Sequence, residues 1–352
     1  MKSILQIGPI SYVGGVSVHI QRLTYLLKDE FNFKYIDESP KKLSKNKLLN
    51  IRSIKDQPKI LNLMRNSDVI HIHSGNWVLR VYFMLVAVFF NKKFIVTLHS
   101  MRLECFKLRL TNHFLTKACR IIAVSEEIKL KLPKKIQLNT ELLEAFLSPQ
   151  IDNEPELPTS IETLIKDCRD GGYTMLAANA FRIRKLKRGE LYGLDQCVKV
   201  AEKAKNENYR LHIIFVIGTV KEEDRAYLDS FLKEINDKEL SDFITVFPSS
   251  LSFIKLINEV DVVLRPTLTD GDALTIREAI YMNKNVIASN VVKRPEHTTL
   301  YETANAFDLY SKIKELRKFK NQFDLTNFAT DKKNYLKLYS KIYTECNNSH
   351  KN

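Results

Sequence analysis

The chain has 352 residues, 44% hydrophobic and 27% charged. That length exceeds one ordinary core, so two domains are expected, and the composition suits a soluble globular protein. The net charge of +14 is uneven: residues 1–150 hold 24 Lys and Arg against 11 Asp and Glu, while residues 151–352 hold 31 against 30. Such asymmetry points the first half toward an acidic partner (anionic lipid, a phosphorylated substrate or nucleic acid), although a merely Lys-rich solvated surface gives the same count. Cys105, Cys119, Cys168, Cys197 and Cys346 are scattered, with no CxxC pair or Cys/His metal spacing. A reducing cytoplasm fits that pattern.

Ser3–Gly8 reads as a first strand, too short for the apolar core of a signal peptide. After the loop 9–15, Val16, Ile20, Leu23 and Leu27 recur at helical spacing, so a helix is expected over Val16–Lys28. A strand that opens through Gly14-Gly15 into a helix favours close approach of a phosphate or substrate. It is not a G-x-G-x-x-G fingerprint, and no P-loop lysine follows. Phe33–Ile36 is a short strand, Lys41–Lys47 a surface loop, and Pro58–Arg65 a helix. Asp68–His73 is the next strand. His71 and His73 share one of its faces; His71 reads as packed, and His73 falls at the C-terminal end, before Ser74-Gly75-Asn76.

Trp77–Phe90 is the most membrane-like stretch, but it contains Arg80 and falls short of the about 20 apolar residues that span a bilayer. It reads as a buried helix, with an interfacial role as the alternative. Phe94–His99 is a strand ending in histidine. The helix expected over Met101–Ala118 carries Leu103, Phe106, Leu110 and Phe114 among basic residues. Arg120–Val124 is a further strand, and Ser125-Glu126-Glu127 caps the helix after it. Continuously apolar strands alternating with helices indicate a parallel sheet covered on both faces. Ligands of such sheets bind beyond the C-terminal strand ends, where Gly14, Gly15, His73, His99 and Ser125 lie.

The proline-rich, acidic stretch Pro149–Thr159 reads as the linker. A second α/β series comes next, with strands at Tyr173–Ala178, Leu211–Gly218, Phe243–Phe247, Asp261–Leu264 and Asn285–Ala288. Between the last two, Thr269-Asp270-Gly271-Asp272 is turn chemistry, and a helix starts near Ala273 with Asp272 as its N-cap. Its free N–H groups suit an anion, and Asp270 and Glu278 frame it. An ordinary βαβ crossover with a polar loop reads the same way. The domains are expected at 1–155 and 156–330, with 331–352 a C-terminal helix packing back on the first.

The segment Asp270–Ala279 resembles the E-x7-E segment of the family 4 retaining glycosyltransferases. Gly14-Gly15-Val16, Asp68–His73, Thr97-Leu98-His99 and Ala123–Glu126 look like that family's N-terminal landmarks, in its order. The resemblance covers roughly residues 1–290. It implies an α/β fold of two doubly wound, Rossmann-like domains facing across a cleft (GT-B). It also implies transfer of a hexosyl or N-acetylhexosaminyl group, with retention, from a UDP- or GDP-sugar. By that resemblance Asp270 and His99 are catalytic. Gly15, Arg182, Gly271, Asp272, Ala273, Leu274, Thr275 and Glu278 hold the donor, and Gly14, His73 and Asn76 lie on the acceptor side. The sequence departs from the family at two points, with Asp270 for its first Glu and Tyr192 at its lysine position. Lys185, Lys187 or Arg188 are candidates for the missing charge.

With no metal motif, neither metal nor cofactor is expected, and no recognition motif supports nucleic acid. The basic first half and the family's lipid-linked acceptors imply a bacterial surface-polysaccharide enzyme, cytoplasmic and peripheral on the inner face of the membrane. The alternative is a non-catalytic GT-B subunit that binds a partner glycosyltransferase.

Overall fold

The computed structural model describes residues 1–11, 14–40, 48–100, 105–271, 273–316 and 326–348. The expected Lys41–Lys47 loop lies outside them. Two compact units emerge, Met1–Leu147 with Phe328–Asn352, and Ser148–Asn327. The division precedes the expected boundary at 155, because residues 149–159 pack within the second unit: Glu154 accepts from Ser252, and Glu156 from Lys255.

The first unit is built on seven parallel strands in the order β3-β2-β1-β4-β5-β6-β7. They are β1 (Lys2–Gly8), β2 (Phe31–Asp37), β3 (Leu49–Asn50), β4 (Val69–Ile72), β5 (Lys93–Leu98), β6 (Arg120–Ala123) and β7 (Thr140–Leu142). All four residues of β4 are buried, as a strand covered on both faces requires, which is why these strands read as unbroken apolar runs. The short edge strands β3 and β7 carry too few residues for a pattern and were not expected.

The second unit has six parallel strands in the order β12-β11-β8-β13-β14-β15. These are β8 (Thr174–Ala180), β11 (Leu211–Ile217), β12 (Ile244–Phe247), β13 (Val262–Arg265), β14 (Asn285–Ser289) and β15 (Thr299–Tyr301). A hairpin of β9 (Lys185–Leu186) and β10 (Gly189–Glu190) stands apart from them. In each sheet the first strand lies between the second and the fourth in sequence, so strand order reverses at β1/β4 and at β8/β13. A doubly wound sheet opens its binding crevice at that point.

Asn76 caps the Trp77–Phe89 helix, its side chain accepting from the N–H groups of Val78 and Leu79. Arg80, Val81, Phe83, Met84, Val86 and Ala87 are buried, but Val78, Leu85, Val88 and Phe89 are exposed. The helix is therefore half-covered rather than buried. In the Cys105–Leu115 helix, Leu108, Leu110 and Phe114 pack against the core, so this apolar face turns inward; the side chains of Leu103 and Phe106 lie outside the described set. Among the described residues no helix is long and apolar enough to cross a membrane.

The C-terminal helix, Thr326–Asn348, buries Tyr339, Ile342, Tyr343 and Cys346 in one cluster with Ile4, Val69, Ile95 and Ile122 of the first sheet. Each such side chain contributes about 1.5–3 kcal/mol by leaving water. Polar groups inside this seam are matched. Gln6 Nε2 donates to the Tyr343 hydroxyl (2.9 Å), which donates to His71 Nδ1 (2.7 Å), and His71 Nε2–H donates to Thr97 Oγ1 (2.7 Å). Cys346 is disulfide-bonded to Cys119, 227 residues away, with Cα atoms 5.7 Å apart. The cysteine pattern, which fitted a reducing cytoplasm, did not anticipate this pair; Cys168 and Cys197 are free and buried.

Tyr343→Phe keeps the ring and strands two buried polar groups, so a loss of about 1–3 kcal/mol is expected. Urea unfolding should show a lower midpoint with an unchanged slope.

Candidate functional site

Polar groups gather beyond the strand ends of each unit. In the first, a cavity of about 400 Å³ is lined by Gly14, Gly15, Glu38, Arg52, Gly75 and Asn76, among others. The structure thus brings together the expected Gly14, Gly15 and Asn76. A Cβ on Gly15 would meet nothing within 4 Å, so the cavity rather than packing adjoins it. Packing requires glycine at Gly8 instead, where a Cβ would come within 2.8 Å of Ile20 and 3.1 Å of His73.

Glu38 and Arg52 were missed, because β2 ends in a polar stretch with no periodicity. Burial pushes the Glu38 carboxyl up to about 7, against the opposing pull of Ser74 and Arg80. Behind it Arg80 is 1% exposed, and its Nε donates to the Ser74 carbonyl (2.9 Å). Burial lowers the Arg80 pKa to about 10, which leaves the guanidinium charged at neutral pH.

His73 is 0% exposed, so its expected place on the acceptor side is corrected to a core position. Its Nε2–H donates to Gln6 Oε1 (2.9 Å), and His99 Nε2 lies 3.2 Å from its Nδ1. His99 is half-buried at the end of β5. His19 joins them from the Gly15–Leu26 helix, its Nδ1–H donating to the Ala145 carbonyl (2.9 Å). It had escaped notice because it falls among the apolar positions of that helix. Burial holds His19 down to about 4 and His71, His73 and His99 well below the usual histidine range, so all four are neutral at pH 7.

In the second unit the reversal at β8/β13 gathers Asn179, Arg265, Thr275, Asp270 and Arg294. Asp270 is nearly enclosed. Oδ1 accepts from Arg265 Nη2 (3.1 Å) and the Gly271 N–H (3.0 Å); Oδ2 accepts from Arg265 Nε (3.0 Å), Arg294 Nη1 (2.8 Å) and Thr267 (3.2 Å). Burial alone would push this carboxyl up, but the two arginines hold it below its ordinary value. With both oxygens engaged, Asp270 is geometrically a pin for two guanidiniums rather than a free carboxylate offered to a sugar. Arg265 also contacts Asn179 (3.3 Å) and lies 5.4 Å from the centre of the Tyr192 ring, a cation–π arrangement. Tyr192 therefore supports the cation with its face.

The helix after β13 spans Leu274–Tyr281, with Ala273 at the N-cap and no side-chain cap; Asp272 lies outside the described residues. Thr275 Oγ1 reaches Asn179 Oδ1 (3.4 Å), Glu278 is buried, Leu274 half-buried, and Gly271 exposed. Arg182 is held elsewhere: its Nη2 binds Glu223 (2.7 Å) and Asp224 (2.9 Å) at the start of the Glu222–Asp237 helix. Lys185, Lys187 and Arg188 are exposed on the β9–β10 hairpin. Arg294 and Asn179 are the functional candidates that sequence reasoning passed over; Arg294 lies in an irregular stretch after β14, which carries no pattern.

No protein-family model matches the sequence, and no curated protein does either. Solved structures match along the whole chain. A glycosyltransferase from Rickettsia africae is 19% identical, with TM-score 0.67 and 98% of each chain covered. Anabaena HepE in complex with UDP is 14% identical, with TM-score 0.64, covering 99% of this chain and 98% of that one. The fold is GT-B. A lipopolysaccharide outer core galactosyltransferase, WaaB, shares it at 12% identity, TM-score 0.55 and 98% coverage of both chains. At these identities the likeness is one of fold, and it accounts for two GT-B sheets with the same strand order.

Glu38 gives the GT-B chain a pH signature. Its pKa of about 7 exceeds the ordinary 4.5, so between those values the folded chain binds more protons than the unfolded one. The stability it contributes is fully present below about pH 4.5 and falls by roughly 3 kcal/mol as pH rises through 7. Glu38→Gln should flatten that slope and exceed the native chain in stability above pH 7, as read by urea unfolding at about pH 5 and about pH 8.

Proposed function

We propose that this chain is a retaining glycosyltransferase that takes a hexosyl or N-acetylhexosaminyl group from a UDP- or GDP-sugar. The observation that carries the reading is the pair Arg265 and Arg294 held on Asp270 near the start of the Leu274–Tyr281 helix, at the second unit's strand reversal, within a GT-B fold. Departure of a nucleoside diphosphate concentrates negative charge on phosphate, and fixed cations and N–H dipoles aimed there lower the barrier. Arg265 and Arg294, oriented by Asp270, are the cations, and the N–H groups over 271–275 the dipoles. Glu278 is assigned to the ribose hydroxyls. Gly15 keeps the donor-binding role and His99 the catalytic role that the family resemblance gives them, and Gly14 and Asn76 the acceptor side, joined by Glu38. Anabaena HepE was solved with UDP-glucose, which supports a nucleotide-sugar donor here.

The acceptor we infer is a lipid-linked glycan of a bacterial surface polysaccharide, met at the cytoplasmic membrane face. Supporting this is the apolar exposure of Val78, Leu85 and Phe89 on one helix, followed by Lys92 and Lys93. Each basic residue near an anionic surface adds about 1 kcal/mol of attraction. This takes up the interfacial alternative for Trp77–Phe90, while Leu110 and Phe114 of the Cys105–Leu115 helix pack against the core.

A non-catalytic subunit is the second reading, favoured by the closed ion pairs of Asp270 and Arg182 and by Tyr192 at the family's lysine position. Turnover separates the two: an enzyme releases nucleotide from its donor, whereas a subunit binds without release.

Thermal-shift titration with UDP, GDP and their sugars is expected to raise the melting temperature for one nucleotide. Glu278→Ala should weaken that nucleotide roughly tenfold or more in a folded chain, at about 1.5–3 kcal/mol for a charged acceptor. No shift with any nucleotide sugar would sink the donor assignment.

Co-sedimentation with vesicles tests the membrane face. Binding to anionic vesicles at low salt, weakened by raised salt and by Leu85→Ser with Phe89→Ser, is expected. Equal binding to neutral vesicles, or none at low salt, would favour a soluble acceptor.

A further inference from the structure

Three imidazoles of the first unit converge on one point. His19 comes from the Gly15–Leu26 helix, His73 from the end of β4 and His99 from the end of β5, and their facing nitrogens all lie within 4.8 Å of one another. The ring centroids form a nearly equilateral triangle, 5.1 Å for His19–His99 and 5.5 Å for the other two pairs. His73 Nδ1 and His99 Nε2 are 3.2 Å apart. Two nitrogens on a tetrahedral ion with bonds of about 2.0–2.1 Å sit about 3.3 Å apart.

The outward nitrogens of His19 and His73 are already committed. His19 Nδ1–H donates to the Ala145 carbonyl, which turns the Nε2 lone pair toward the cluster, where the Tyr339 hydroxyl is 3.4 Å away. Gln6 Nε2 is used on Tyr343, so Gln6 Oε1 accepts from His73 Nε2–H and leaves the His73 Nδ1 lone pair inward. Carbonyl acceptors of this kind fix the tautomer and tilt of metal-bound histidines. His71 provides a contrast. Both its nitrogens end on hydroxyls, of Tyr343 and Thr97, as a purely structural histidine's do.

We propose that His19 Nε2, His73 Nδ1 and His99 Nε2 form a binding site for a divalent first-row transition ion, with Zn²⁺ the expected occupant. Three imidazoles and no carboxylate suit Zn²⁺, Co²⁺, Ni²⁺ or Cu²⁺ and not Mg²⁺ or Ca²⁺, which take oxygen ligands. Three protein ligands leave a fourth position for water or a hydroxyl. Binding needs one rearrangement: the proton that bridges His99 Nε2 to His73 moves to His99 Nδ1, so the ligands stay neutral and no proton is released. No sequence motif announces the site, because the ligands are 54 and 26 residues apart on three elements.

The test uses the full chain, stripped with chelator and titrated with Co²⁺. One equivalent per chain is expected, with the visible absorption of a four-coordinate cobalt site; Zn²⁺ should bleach it and raise the melting temperature. His99→Asn should weaken Co²⁺ by about a hundredfold or more, since losing even an outer partner costs about 10–100-fold. The exposed-site variants His113→Ala and His297→Ala should bind as the native chain does. Circular dichroism establishes that each variant is folded, and the native stoichiometry stands as a readout should His99→Asn fail to fold. A folded native chain that takes up no Co²⁺ or Zn²⁺ at saturating excess overturns the site. So do cobalt bands that persist undiminished in folded His99→Asn.

Discussion

In both sheets the first strand is flanked by the second and the fourth. The loops leaving β1 and β4, like those leaving β8 and β13, therefore part toward opposite faces and leave a crevice between them. Two polar clusters of the molecule sit at those places. Glu38, Asn76 and the Gly14-Gly15 turn gather at the first; Asn179, Arg265, Asp270 and Arg294 gather at the second.

Charge at the second crevice is arranged by a carboxylate that is itself almost covered. Asp270 is 9% and Arg294 2% exposed at their side chains, and a single unpaired charge at that depth would be costly. Their mutual satisfaction holds two guanidiniums on one carboxylate near the start of the Leu274–Tyr281 helix. Arg182 is paired instead with Glu223 and Asp224.

The first unit places polar chemistry inside its core. Gln6, His71, His73, Thr97 and Tyr343 are buried, yet they form a continuous donor–acceptor chain in which each named contact pairs a donor with an acceptor. Buried polar groups are tolerable on those terms. The C-terminal helix supplies Tyr343 to that chain and Cys346 to the disulfide, so the last described turns of the polypeptide complete the first domain and not the second.

Local pattern alone determined the parallel sheets, their division into two series and the helix after β13, because strands buried on both faces must be apolar at successive positions. It also placed Gly14 and Gly15 near a crevice, since strand ends there are polar by necessity. Elements too short to carry a period escaped it, namely β3, β7, β15 and the β9–β10 hairpin, and so did every partnership made through space. Cys119 with Cys346, Arg294 with Asp270, and His19 with His73 and His99 join residues from separate elements. The exposure of Leu85 and Phe89, and the inward turn of Leu110 and Phe114, were likewise decided in three dimensions. Periodicity shows that a helix has an apolar face; only the neighbours that pack against it determine whether that face is covered.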